Sequence, residues 1–170
     1  MKDVKKIIAA LKKDGAVSVK AVIKNATVTK EVNEDGKDYL RIALTLDKEI
    51  PNYVQKDDTF VEGKARFAYI LSGSLGHFLS EDERTAFIKD DVCSNATWAK
   101  AILVYSTVEL LCQKVKAKEQ YCNPFGENEE KHEVENDNIY HHLIGFELGS
   151  MAVKYAERFT EKVLFGKKED

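Results

Sequence analysis

Histidines and cysteines come first among the residues that could do chemistry. The chain has four histidines, His77, His132, His141 and His142, and three cysteines, Cys93, Cys112 and Cys122. His141 and His142 are adjacent, and in a strand adjacent side chains face opposite sides, so they cannot chelate one ion together. Cys122, His132 and one of that pair are zinc-ligand types, but zinc wants four convergent ligands in tight geometry. Polar surface histidines, or one partly buried against a backbone partner, are the plainer expectation. The cysteines show no CxxC spacing and leave one over, so in a reducing compartment they are simplest as free thiols. No cofactor and no metal is expected.

Catalytic patterns are missing as well. "GSLG" at 73–76 lacks the Gly-Lys-Ser/Thr that completes a phosphate loop. It is also one residue off the Gly-x-Ser-x-Gly nucleophile elbow. The carboxylates of "SEDERT" and "ENEEKHEVEND" form no pair with visibly separated environments. A hydrolase is therefore the least favoured class, and the protein is expected not to be an enzyme.

Aromatic and basic residues offer a different chemistry. Single-stranded nucleic acid needs cations for phosphates and aromatic planes for bases. Candidate platforms are Tyr39, Tyr53, Phe67, Tyr69, Tyr121 and Phe125. Candidate cations are Lys20, Lys24, Lys30, Arg41, Arg66, Lys114 and Lys116. The plainer expectation is that aromatics on a small barrel are core and that such cations are solvated exterior. The net charge of −3 conceals an asymmetry. Residues 1–30 hold eight Lys against Asp3 and Asp14, a net of +6, and residues 127–139 hold six acids against Lys131, a net of −5. A basic end suits a polyanion and an acidic loop repels or mimics one, though two solvated surfaces would look the same.

The elements that must position these residues follow from periodicity. Val4, Ile7, Ile8 and Leu11 predict an amphipathic helix over 2–14, ended by Gly15. Residues 16–32 read as a long strand: Val17, Val19, Ala21 and Ile23 share one parity, and Ala26, Val28 and Val32 the other. A β-bulge near Lys24–Asn25 makes that switch. "NEDG" (33–36) is the turn. Tyr39–Asp47 is the second strand, with Leu40, Ile42, Leu44 and Leu46 inward and Tyr39 and Arg41 outward. "PNYVQKDD" (51–58) reads as a loop, and a third strand runs from about Ala65 to Leu71.

Beyond Gly73 the pattern turns helical, with Ser80 and Glu83 as a capping box. Residues 106–118 fit either a continuing helix or a strand, with a slight lean to helix until about Tyr105 and then a fourth strand. Residues 121–137 are a long polar loop, functional or mobile. Residues 138–149 are a fifth strand, and Ser150 caps a last helix. The expected architecture is a single α+β domain over 1–170. It has an N-terminal helix (1–15), a five-stranded, curled, OB-like antiparallel sheet or barrel (16–149) and a C-terminal helix (150–170). A helical insertion (74–105) sits between strands three and four, as in the OB-fold connectivity. A continuous helix over 95–119 would instead give a smaller sheet.

The runs "VIKNATVTKEV", "YLRIALTLDKEIPNYV", "VELLCQKVKAKEQYCNPFG" and "NIYHHLIGFELG" resemble small proteins of tailed bacteriophages of gut bacteria, over about residues 19–149. The pattern is similar to phage single-stranded-DNA-binding proteins of OB-fold type. That resemblance implies DNA binding without catalysis, strand protection in replication or recombination, and residence in the host cytoplasm or the virion. Such proteins often end in an acidic tail that recruits partners. This chain ends "FGKKED" and carries its acidic run internally, at 127–137. Expected partners are single-stranded nucleic acid and, beyond it, a homo-oligomer or other phage proteins, with modest affinity and steep salt dependence. The rival expectation is a virion accessory or protein-interaction module. No run approaches the apolar length that spans a bilayer, and the first 15 residues do not form a signal peptide. No membrane partner is expected, and the cytoplasm is the default location.

Overall fold

The computed structural model describes residues 3–32, 36, 38–71, 74–75, 77–81, 103–126 and 131–149. The chain begins with α1 (Val4–Lys13). Asp3 caps it by accepting from the Lys6 N–H at 3.3 Å, satisfying one of the amides that a helix start leaves unpaired. Gly15, at φ +105°, turns the chain out of the helix, a conformation that glycine adopts without steric cost. The strands are β1 (Val17–Val32), β2 (Asp38–Lys56), β3 (Thr59–Leu71), β4 (Thr107–Val115), β5 (Gln120–Tyr121), β6 (His132–Glu133) and β7 (Asn138–Glu147). Five form one antiparallel sheet in the order β3-β2-β1-β4-β7, and β5 and β6 form a separate two-stranded ribbon.

The first strand carries the expected bulge. Ile23 pairs with Leu46 and Asn25 with Thr45, so Lys24 is the extra residue. Ala21 and Ile23 are buried before it and Ala26 and Val28 after it. Residues 17–22 pair with β4, and residues beyond the bulge pair only with β2. β1 therefore serves both halves of a curled sheet. The Val22 amide, which has no ladder partner on β2, donates to Asp47 Oδ1 at 2.8 Å. Ile23 exchanges backbone hydrogen bonds with the 105–106 turn at 2.7 and 2.9 Å.

β2 is irregular in turn. Its register against β3 slips between Thr45 and Ile50. Past that point β2 pairs with β3 alone. Pro51 is tolerated there because the N–H it lacks is not needed by a second neighbour. The segment 51–58, expected as a loop, is thus strand up to Lys56, and β3 starts at Thr59 instead of Ala65. The turn between them is Asp57–Asp58, with Asp57 at φ +57°.

Residues 107–115 are strand, with Val108, Leu110 and Cys112 on the core face. Leu111 and Val115, on the other face, are also buried. A strand covered on both faces loses its alternation, which is why the sequence left helix and strand open here.

The α+β expectation is corrected. The fold is mostly β, a curled half-barrel sheet, and α1 is the one helix of any length among the described residues. Neither the helical insertion nor the C-terminal helix belongs to the described structure. Residues 76, 82–102 and 150–170 lie outside it, and of the flanking residues only 74–75, 81 and 103 are helical. The sheet order and curl are compatible with an OB-like arrangement. The core lies inside the curl, around Ile23, Ile42, Leu44, Leu46, Ile50 and Leu110, each at most 1% exposed. Leu75 and Leu103, also fully buried, join it from the segments on either side of 82–102.

Candidate functional site

The curl brings the two sheet edges, β3 and β7, toward each other without pairing them. Two contacts span this seam. His141 Nε2 on β7 lies 2.8 Å from the Pro51 carbonyl on β2, an acceptor that fixes the proton on that nitrogen. Lys114 on β4 pairs with Glu62 on β3 at 2.7 Å. Beside the seam lies a cleft of about 690 Å³, within the ordinary range of ligand sites.

One wall is the face of β2–β3 turned away from the core. Register sets Arg41 opposite Leu71, Ala43 opposite Tyr69 and Thr45 opposite Phe67. The Arg41 guanidinium lies 3.8 Å from the centre of the Tyr69 ring, a diagonal cross-strand contact worth on the order of 1 kcal/mol. Phe67 meets Tyr69 edge-on at 4.5 Å. Glu31 on β1 approaches Arg41 at 3.8 Å. Asn52 holds the kinked half of β2 to β3 by donating to the Phe67 carbonyl at 3.1 Å. Tyr53 follows, its hydroxyl pKa raised by burial first and then by Asp137 and Glu62.

The other wall is built by the ribbon that folds back over β4 and β7. Tyr121 stacks flat on Tyr140 at 4.3 Å. Its hydroxyl donates to Gln113 Oε1 at 3.3 Å, and His142 Nε2 lies 2.9 Å from the same oxygen. An acceptor at that distance places the His142 proton on Nε2. Phe125 tilts over His142 at 5.0 Å. Val115 and Val134 close the small second core behind Tyr121. Burial, then the neighbouring His141, push the His142 pKa down to about 4, so the ring is neutral near pH 7. His141 is also lowered by burial, against the raising effect of its Pro51 bond.

Six sequence candidates thus line one cleft: Arg41, Tyr53, Phe67, Tyr69, Tyr121 and Phe125. The described lining contains no Asp or Glu, and Arg41 is its one permanent cation. The remaining candidates do not gather there. Lys20 sits 4.0 Å from Glu109, Lys24 lies 5.7 Å above the Tyr105 ring at the bulge, and Lys114 is held by Glu62. Arg66 and Lys116 are exposed outside the cleft lining. Tyr39 and Lys30 occupy known strand positions, but their side chains lie outside the described structure. The long loop expected at 121–137 contains the ribbon that supplies a wall of the site.

Sequence reasoning missed Gln113, Tyr140 and His142 as site residues. The available signal was parity: Tyr140 and His142 are two apart on one strand, facing Leu111 and Gln113 across the ladder. His141 and His142 do face opposite sides, against Cys112 and Leu111. No three His, Cys, Asp or Glu side chains among the described residues are placed to hold a metal ion. No helix among them is long and apolar enough to cross a membrane. Comparison of the chain with protein-family models, curated proteins and solved structures yields no match, so the cleft is interpreted from its own geometry.

Proposed function

We propose that the protein binds single-stranded nucleic acid in this cleft, without catalysis, and protects strands during replication or recombination. The observation that carries the reading is the convergence of five aromatic candidates and Arg41 on a cleft whose described lining has no carboxylate. Tyr69, 44% exposed, and Phe67 offer ring surface beside the Arg41 guanidinium. Each base stacked on such a surface contributes about 1–3 kcal/mol. Tyr121 and Tyr140 are already stacked on each other, so they shape the wall and the β2–β3 side receives the base. DNA in the cytoplasm of a phage-infected cell is the substrate and setting that the resemblance to phage proteins suggests.

The test is fluorescence polarisation with a labelled oligonucleotide at low salt. Tyr69→Ala is expected to weaken binding about 5- to 150-fold, the loss of one stacked base. Tyr69→Ala also loses its contacts with Arg41 and Phe67, so the variant is expected to melt a few degrees lower while staying folded at the assay temperature. An unmodified chain that fails to bind at low salt ends the proposal. A second reading, a protein-interaction module, is favoured by one observation: Phe60, at the β2–β3 hairpin tip, is 69% exposed.

A further inference from the structure

Two surfaces remain unexplained, and they match each other; the second adjoins the cleft and shares Asn52, Tyr53, His132, Asn138 and Tyr140 with it. The first is α1. Its apolar stripe, Val4, Ile7, Ile8 and Leu11, is flanked by Lys5, Lys6, Lys12 and Lys13, yet none of its residues is buried and Val4 is 51% exposed. An amphipathic helix normally owes its stability to a covered apolar face. The second surface is a groove of about 1070 Å³ between the β2–β3 hairpin tip and residues 132–138. It is lined by Asp58, Glu133, Glu135 and Asp137, with no Lys or Arg among its described residues. Phe60 stands at its side, 69% exposed, with Tyr53 and Tyr140 on its floor.

We propose that α1 of one copy docks in the acidic, aromatic groove of the next, giving head-to-tail association of the chain. Charge and apolarity match on both sides: lysines meet carboxylates, and the Val4–Leu11 stripe meets Phe60 and its neighbours. The occupant is a second copy because α1 of the same copy does not line the groove: its C-terminal end faces another cavity while Val4 stays exposed. Its Leu11 and Asp14 line a separate, smaller cavity with Cys112 and Lys114. A ten-residue helix is about 15 Å long, so the contact is small, and association is weak and reversible. The two patches differ, so the contact is heterologous and propagates instead of closing on a two-fold axis. Lysine–carboxylate pairs at an exposed rim also make it sensitive to salt.

Sedimentation velocity of the full chain tests this. The average mass should rise with concentration at low salt and return to that of one chain when salt is added. Lys5→Glu with Lys6→Glu reverses the helix, and Glu133→Lys with Glu135→Lys reverses the groove. All four positions are exposed. Each double variant alone should lose association by about tenfold or more, and an equimolar mixture of the two should regain it. Phe60→Ser should also weaken association, which charge attraction alone would not explain. Circular dichroism melts establish that each variant is folded, and Phe60→Ser keeps the test open if a charge variant is not. A wild type that stays monomeric at low salt overturns the proposal. So do folded charge variants that associate like wild type, or a mixture of folded variants that stays dissociated.

Discussion

Arg41 shows how little of a side chain's role is visible in its type. Its guanidinium lies over Tyr69 and near Glu31, so it presents a single flat cation to the cleft, suited to stack on a base or to meet one phosphate. Two of the histidines of the site, His141 and His142, have shifted titrations. Both are lowered from the usual 6.5, His142 to about 4. The unfolded chain therefore binds protons near pH 6.5 while the folded chain does not. Stability is full above pH 6.5 and falls as pH drops toward about 4. The loss is at most about 1.4 kcal/mol per pH unit for each histidine, less for the partly exposed share of the ring. Urea denaturation at pH 7 and pH 5 measures it. His142→Gln, which can still donate to Gln113, should flatten part of the slope, and equal slopes in the two proteins would show that His142 does not carry it. The tandem histidines were legible as a strand pair facing opposite ways. That one of them sits in a tyrosine–glutamine network was not, because Gln113 and Tyr121 reach it only through the β4–β7 register and the ribbon.

At the scale of elements, the junction of β1, β4 and β7 concentrates the constraints. Tyr105 sits at φ +68°, its amide bonded to Ile23 at the bulge, and the Gly149 amide donates to the buried Ser106 hydroxyl at 3.1 Å. A Cβ on Gly149 would stand 2.6 Å from the Tyr105 carbonyl oxygen. The obstacle is backbone, which no rotamer change relieves. Gly149→Ala is expected to cost about 1–3 kcal/mol, read as a lowered denaturation midpoint. Gly126→Ala should be nearly silent, because its Cβ would meet Asn123 at an ordinary 3.5 Å. The sequence disclosed the bulge through a parity switch and the inward Leu40–Leu46 row through clean alternation, since one face of each strand meets the core. It misread 51–58, because Pro and paired Asp are turn signals and nothing local shows that β2 has lost its second neighbour there. It missed β5 and β6, because two-residue strands leave no periodicity.

For the whole molecule, the distribution of charge matters more than its total. Net charge is −3, and the lysines of the first 30 residues did suggest a polyanion partner. Yet among the candidate cations whose side chains are described, only Arg41 reaches the cleft. Lys20, Lys24 and Lys114 stand by Glu109, Tyr105 and Glu62. On the proposed reading binding in the cleft rests on stacking, and a shallow salt dependence is expected in place of the steep one that composition suggested. A single-stranded ligand loses about 0.7 decades of affinity per decade of salt for each neutralised phosphate. One phosphate contact, at Arg41, predicts a slope near −0.7, measured by polarisation at a pH where the histidines are neutral. Arg41→Gln should bring the slope toward zero, while Tyr69→Ala should lower affinity and leave the slope alone. A slope of about −3 or steeper would mean that the strand runs instead over the lysines of α1 and β1, and in that case Tyr69→Ala would hardly weaken binding.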